Sequence, residues 1–463
     1  MTAMVPIIDP DEVYALPLAD RWMLFAPTTW SVAVVNRAAL GGLAECVGPE
    51  RQAPSLDALD LWQTLTVAVP GAADHRERDE DKLVIMPTRA CNIRCLHCDF
   101  GSDDAPITVL DPRLAYPLID RVAAELRRKH EHTMRVHFFG GEPLVARRAV
   151  ENIVAYTRSA CTKAGLVPAF ELTTNGVCDA ETAAFLGNEI DSVVISIEGD
   201  EALHDGIRRH RDGRGTYAEV AATIRRLGRY PAEVCLRTCV TNRSVDAMPE
   251  IAEHFCREFT FDVLSFEMLV ETPRGIEAGL RAPDPYAFAR GVMAAEAVAA
   301  EHGVRVVHGP SELVGPRTTS CPLGRGTLML WPDGSITACY LDPERWRANG
   351  LELSLGRVDA TGAVRLNTRR LGAIARATAV KSRCEKCFCR YTCAGGCHVE
   401  QTPPGCSPEY DDRCRAIRLI TASRLLASIG DAADAARMLA RPSAAEALAL
   451  NADDRLRSWA KTW

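Results

Sequence analysis

Six short runs rich in β-branched and aromatic residues, LVIMPT, MRVHFF, FELTT, SVVISI, EVCLRTCV and FDVLSFEML, are spread over residues 82–303. Between them lie amphipathic stretches such as DPRLAYPLIDRVAAELRRKHE and ARRAVENIVAYTRSACTKAG. A strand followed by a helical crossover, repeated, has one low-strain solution: parallel strands with the helices packed against a face of the sheet. A closed eight-stranded barrel usually takes about 250 residues. Six units in this span therefore predict an α/β fold with a partial (β/α)6 barrel, and functional groups should gather at the C-terminal ends of its strands.

The flanks read differently. Residues 1–81 contain RWMLFAPTTWSVAVVNRAALGGLAECV, which predicts two short strands, a turn and a helix, a small N-terminal α+β module. Regular alternation stops after Val304. LMLWPDGSITACY predicts a hairpin turning at Asp333-Gly334, within a Cys-rich C-terminal domain over residues 304–415. The Ala- and Leu-rich residues 416–463 predict a helical tail packed back on the body.

The net charge of -7 offers no field for nucleic acid or anionic lipid. The acidic start, and the absence of any run near the ~18 apolar residues a span requires, predict a cytoplasmic protein with neither nucleic-acid nor membrane partners. Eighteen cysteines are then anomalous, because a reducing compartment does not maintain a disulfide framework; so many thiols point to metal. Ten fall into two patterns. The other eight, Cys46, Cys161, Cys178, Cys235, Cys239, Cys256, Cys389 and Cys406, look scattered and read mostly as small buried hydrophobes.

The first pattern is TRACNIRCLHCDFG, which places Cys91, Cys95 and Cys98 at C-x3-C-x2-C directly after the first barrel strand. A zinc site wants four ligands and a disulfide two. A four-iron cluster held by thiolates would keep one iron free for a substrate or cofactor. A zinc site completed by His97 is the alternative.

This segment resembles the radical S-adenosylmethionine (SAM) enzymes. In that family the free iron chelates the methionine amino and carboxylate groups, and the reduced cluster cleaves the sulfonium to a 5'-deoxyadenosyl radical. Further residues carry the likeness. Gly140, Gly141, Glu142 and Pro143 end the second strand as the family's glycine-rich turn, expected at the methionine ammonium, and Thr174 and Asn175 lie in TTNG at the end of the third. SIEGDEALHDGIRR resembles the segment after the fourth strand, so that Ser196 and Glu198 would face the ribose and Arg208 would pair with the methionine carboxylate. Val240, at the end of the fifth strand, would pack on adenine or belong to the core. Glu198 stands where Asp is usual, and His97 where an aromatic normally precedes the third Cys.

The second pattern joins Cys321 and Cys339 across the hairpin to Cys384, Cys387, Cys393, Cys397 and Cys414. It resembles the SPASM extension of peptide- and protein-modifying radical SAM enzymes. The resemblance implies three [4Fe-4S] clusters in all. Cys384, Cys387, Cys393 and Cys414 would hold an outer auxiliary cluster, and Cys321, Cys339 and Cys397 an inner one. Some relatives supply a further inner ligand where this chain has Gly315; Cys389 or Cys406 would fill the place, or the inner cluster has an open iron. Two zinc ions in a non-enzymatic scaffold are the competing reading.

The family's substrates include ribosomally made precursor peptides and sulfatases. Sulfatase-maturating relatives carry an Asp directly after the second hairpin Cys; this chain has Tyr340 there and Asp342 two residues on. The resemblance therefore implies a peptide maturase forming a thioether or carbon-carbon cross-link, with formylglycine formation as runner-up. It also implies an external electron donor such as flavodoxin or ferredoxin. The N-terminal module would recognise a leader peptide by strand addition or merely cover a sheet edge. RRHRDGR, Arg208 to Arg214, reads as mostly solvated loop.

Overall fold

The computed structural model describes residues 12–18, 20–47, 56–66, 82–98, 100, 108–317, 319–321, 323, 326–378, 381–400, 410–451 and 453–459. The chain opens with three antiparallel strands, β1 (Tyr14–Leu18), β2 (Arg21–Ala26) and β3 (Ser31–Val35), followed by α1 (Arg37–Val47) and α2 (Leu56–Thr66). The sequence reading anticipated two strands and one helix. It missed β1, whose YALPL contains a Pro and lacks the alternation that marks a half-buried strand.

The barrel follows: β4 (Lys82–Ile85), β5 (Ile93–Cys95), α3 (Pro112–Arg128), β6 (Thr133–Phe138), α4 (Arg147–Ala164), β7 (Val167–Thr174), α5 (Ala180–Glu189) and β8 (Ser192–Ser196). Next come α6 (Glu201–Ile207), β9 (Arg208–His210), α7 (Tyr217–Leu227), β10 (Glu233–Val240), α8 (Met248–Glu258), β11 (Val263–Met268), α9 (Pro273–Glu277), α10 (Pro285–Glu301) and β12 (Arg305–Val307). The C-terminal part adds β13 (Leu328–Leu330), β14 (Ser335–Thr337), α11 (Pro343–Ala348), β15 (Ser354–Val358), β16 (Val364–Leu366) and α12 (Thr368–Ala377). It closes with α13 (Asp412–Ser428), α14 (Ala432–Ala440), α15 (Pro442–Leu450) and α16 (Leu456–Trp459).

One eleven-stranded sheet runs β12-β11-β10-β8-β7-β6-β4-β13-β14-β15-β16 among the described residues. The six anticipated strands are its parallel centre, β4, β6, β7, β8, β10 and β11. The Asp333-Gly334 hairpin forms as expected, with Gly334 at φ +80°. Its first strand pairs in parallel with β4, so the Cys-rich part continues the barrel sheet. The boundary expected at residue 415 falls inside α13, whose N-cap Asp411 accepts from Cys414 N at 2.8 Å.

Three helices start on the same dipeptide. Asp111-Pro112, Asp284-Pro285 and Asp342-Pro343 each cap a helix with the Asp carboxylate and begin it with a Pro that has no N–H to leave unpaired. The strands alternate in burial. Met134, Val136 and Phe138 of β6 are enclosed in the main core, whereas Arg135 and His137 are only half-buried on the other face. That second face lines the inside of the curved sheet.

Leu236, in the middle of β10, is fully buried. Leu236→Ala is expected to destabilise the chain by about 2–5 kcal/mol, read as a lowered urea midpoint with an unchanged slope.

Candidate functional site

The C-terminal end of β4 leads straight into the first thiol loop. Glu142 N donates to Ala90 O at 2.9 Å and Gly141 N to Thr88 O at 3.1 Å, so the glycine turn after β6 lies directly on the loop backbone. A Cβ on Gly141 would sit 2.2 Å from Arg89 O and 2.4 Å from Ala90 O, which only glycine avoids. The far side of the loop is held as well. β5 pairs antiparallel with β9 in the register Cys95↔Arg208, and Arg211 Nη2 donates to Cys91 O at 3.2 Å. RRHRDGR is therefore a clamp on the thiol loop in its first half, and the reading of it as solvated loop holds only beyond.

Glu142 is 1 % exposed and accepts three hydrogen bonds, from Leu144 N at 3.0 Å, Thr174 Oγ1 at 2.9 Å and Asn175 N at 2.7 Å. It locks the ends of β6 and β7 together. Burial pushes its carboxyl up to about 7, against the pull of those donors. Asn175 Nδ2 then reaches Asn92 Oδ1 at 2.8 Å and Cys91 Sγ at 3.6 Å, while Asn92 Nδ2 donates to Val177 O at 3.1 Å. Pro143 is buried in the short 3-10 turn that continues from Glu142.

Arg208 and Glu198 meet at 2.5 Å, and Arg208 Nη1 points at Cys95 Sγ at 3.6 Å. Glu198 uses its other oxygen to accept from Cys239 N at 2.8 Å. It is 1 % exposed and holds Arg208, a pairing that the sequence reading, which aimed it at a ribose, did not foresee. His97 Nε2 lies 3.4 Å from Arg208 Nη2, and burial lowers its pKa to about 4, so the ring is neutral at pH 7. Ser196 is half-buried at the end of β8. Val240 is fully enclosed in the main core, which accounts for it without adenine.

The remaining thiols gather in two further groups. Burial first, then mutual repulsion, raises Cys321 to about 11 and Cys339 to about 12, each facing Cys397. Burial also raises Cys384, Cys393 and Cys414, with Cys387 a neighbour of each and Asp411 adding to the rise at Cys414; Cys387 itself is lowered to about 6, against burial, by Cys389 and Arg418. In the first loop Cys91 rises to about 11 by burial and then the Glu142 carboxylate, and Cys95 to about 12 by burial against the pull of Arg208. Desolvated thiols that face one another are costly to ionise unless cationic metal shares the charge, so the chemistry of these Cys-rich groups suits thiolate-bound iron. Among the described residues no three Cys, His, Asp or Glu converge into the tight shell of a single metal ion.

Cys389, which the sequence left open as an inner ligand, lies against Cys387 and Cys393 of the outer group. Cys406 lies outside the described residues. Of the other scattered cysteines, Cys161 is a buried hydrophobe, whereas Cys235 and Cys239 are half-buried on the inner face of β10. The buried-hydrophobe reading does not hold for these two.

Sequence reasoning also missed the polar interior of the sheet. Glu171 accepts from Lys82 Nζ at 2.7 Å, and His137 Nε2 lies 3.3 Å from Glu171 and 3.0 Å from Thr173 Oγ1. Arg237, two residues along from Cys235, lies on the same strand face, where the Glu267 carboxylate supports its charge against burial. The alternation of polar residues in MRVHFF and EVCLRTCV was the available signal: such residues on a doubly covered parallel strand line a cavity or a site. At the rim, Tyr340 stacks on Phe100 at 6.2 Å and meets Phe139 edge-on at 5.0 Å, joining the thiol loop, the glycine turn and the second hairpin. Asp342, two residues on, caps α11 and lies 3.7 Å from Arg89.

A parallel α/β sheet with three thiols at the end of its first strand and a glycine turn folded over them defines a radical SAM domain. Residues 85–255 match the Radical SAM superfamily, a domain family of enzymes whose chemistry requires SAM and a [4Fe-4S] cluster. The serine-type anaerobic sulfatase-maturating enzyme of Klebsiella aerogenes is 23% identical over 350 residues, 73% of this chain and 84% of that protein. An uncharacterized protein of Methanocaldococcus jannaschii, MJ0907, is 24% identical over 188 residues, 40% of this chain and 62% of that protein. The fold is shared with native anSMEcpe bound to AdoMet and the Kp18Cys peptide, at TM-score 0.60 and 20% identity, over 76% of this chain and 99% of that one. No helix among the described residues is long and apolar enough to cross a membrane.

Gly141→Ala is expected to displace the thiol loop and lower 5'-deoxyadenosine formation from SAM by about 10²-fold, the cost of roughly 1 Å of misplacement. The raised carboxyl of Glu142 has a definite sign. Between 4.5 and about 7 the folded chain binds this proton more tightly than the unfolded chain, so stability falls as pH rises through that window. Glu142→Gln removes that term, on the order of 3 kcal/mol at most. Denaturant unfolding at about pH 5 and about pH 8 checks it, the wild type losing more than the variant.

Proposed function

We propose that the chain is a radical SAM peptide maturase that abstracts hydrogen from a ribosomally made precursor peptide and forms a thioether or carbon-carbon cross-link. Cys91, Cys95 and Cys98 would hold the SAM-binding cluster, which supplies the 5'-deoxyadenosyl radical when SAM is bound and reduced. Cys321, Cys339 and Cys397 would hold the inner auxiliary cluster; Cys384, Cys387, Cys393 and Cys414 would hold the outer one. With Cys389 beside the outer thiols, an open iron at the inner site gains support. An external donor such as flavodoxin or ferredoxin would provide the electrons.

The residues of the chain would do the positioning. Gly140 and Gly141 let backbone approach the thiol loop, Glu142 and Asn175 fix the loop's shape, and the Arg208 fork, braced by Glu198 and beside Cys95, would grip the carboxylate of SAM. The half-buried inner face of β6, β7 and β10 would hold the target residue away from bulk water.

The observation that carries the peptide reading is the open edge of β3. β1, the other edge of that sheet, is covered by the C-terminal tail: Ala15 N donates to Asp454 O at 2.7 Å and Leu456 N to Val13 O at 2.8 Å. β3 has no strand partner on its outer side among the described residues, and Ser31 to Val34 are half-buried. An extended leader peptide would add there as a fourth strand. Sulfatase maturation is the second reading, favoured by the 84% of the Klebsiella aerogenes protein that aligns. Against it stand Tyr340 directly after Cys339, and Asp342 committed to capping α11.

Anaerobic co-expression with precursor peptides from neighbouring small open reading frames tests the choice by mass spectrometry. A peptide that loses two hydrogens and stays inert to a hydrazide probe supports the maturase. A hydrazide-reactive aldehyde on a short sulfatase-motif peptide, with no cross-linked product, would replace it with the second reading. In either case changing Cys91, Cys95 and Cys98 together to Ala is expected to abolish 5'-deoxyadenosine formation.

A further inference from the structure

Arg418 is the most heavily engaged side chain of the C-terminal part. It lies on α13, one turn beyond Cys414, and is 1 % exposed. Its Nη1 is 3.1 Å from Cys387 Sγ and 2.6 Å from Asp454 Oδ2; its Nη2 is 2.9 Å from Asp454 Oδ1 and 2.7 Å from Leu448 O. The guanidinium is sandwiched between the rings of Phe388 at 4.9 Å and Tyr410 at 4.3 Å. Asp454 is itself buried, and its carboxylate also accepts from Phe388 N at 3.0 Å and Asn451 Nδ2 at 2.9 Å.

Taking both ions out of water is costly before their attraction is counted, and replacing a buried ion pair by an apolar pair of similar volume is often neutral or stabilising. Stability alone therefore does not call for it. What sets it apart is how it is held: Arg383 also reaches an outer thiol, at Cys384, but the guanidinium that donates to Cys387 Sγ is fixed by a buried carboxylate, a carbonyl and two rings.

We propose that Arg418 is a positioning residue that raises the reduction potential of the outer auxiliary cluster through its N–H donation to Cys387 Sγ. Hydrogen bonds and positive charge at a ligating sulfur favour the cluster state with one more electron. Asp454 cancels part of that charge from the far side of the fork, so the two residues act in opposite directions. The step they bias is a one-electron uptake by the oxidised cluster, [4Fe-4S]2+ to [4Fe-4S]+. Its electron comes from the substrate radical as the new bond forms.

The inference rests on the outer thiols holding a cluster as proposed above. Its test is an EPR-monitored redox titration of the anaerobically reconstituted full chain, with the outer signal assigned by its loss in Cys384→Ala. Asp454→Asn, which keeps an acceptor for Phe388 N and leaves the guanidinium uncompensated, is expected to move the outer midpoint up. Arg418→Met combined with Asp454→Asn is expected to move it down, with the midpoints of the other clusters unchanged; Arg418→Lys shifts it down by less. An outer midpoint that stays fixed or moves the opposite way in Asp454→Asn at full iron content overturns the inference, and this variant suffices where the double variant fails to load iron. A wild-type chain with no iron at the outer thiols would overturn the cluster assignment itself, a result distinct from an unmoved potential.

Discussion

Glu142 carries one carboxylate in a space with almost no water, and the site is arranged around the need to satisfy it. Three donors come from two different strand ends, one from the last residue of β7, one from the residue after it and one from its own turn. That demand draws the third strand end onto the second, and through Asn175 and Asn92 it reaches the first thiol. The thiol loop has little regular structure of its own. It is held between the glycine turn on one side and the β5–β9 ribbon on the other, so the backbone that carries the thiols has little room to move.

The same sheet carries the other thiols. β13 pairs with β4, so the hairpin that bears Cys339 continues from the strand that leads into Cys91. Tyr340 then turns back to the aromatic rim formed by Phe100 and Phe139. Between these two groups lies a polar strand face with Glu171, His137 and Arg237. Polar groups on a covered parallel strand are a mark of a functional face.

The chain ends hold the assembly shut. The tail pairs with β1, Asp454 reaches Phe388 and Arg418, and Tyr391 Oη donates to Glu12 Oε1 at 2.6 Å. The N-terminal module and the outer thiols are thereby parts of one packed body, although residues 14 and 454 lie at opposite ends of the sequence. Closing that loop leaves β3 as the free edge of the small sheet.

The alternation of strand and helix, the thiol spacings and the glycine turn were legible in the sequence because each is a local pattern with few physical solutions. Six parallel strands, the Asp333-Gly334 hairpin and the helical tail followed from periodicity and turn chemistry. The sequence was silent on β1, which has no alternation, and on the β5–β9 ribbon, which pairs residues 93–95 with residues 208–210. It did not foresee the pairing of Glu198 with Arg208, ten residues away, which forms only once α6 has folded. It also could not sort Cys389 from its neighbours, because a two-residue spacing from Cys387 says nothing about which buried thiols share a space. Local propensity and spacing fix which chemistry the chain can hold. The partners of its buried charges, Glu142, Glu198 and Arg418, were decided only when distant segments packed, because an ion taken out of water must find whatever counter-charge or donor the fold brings to it.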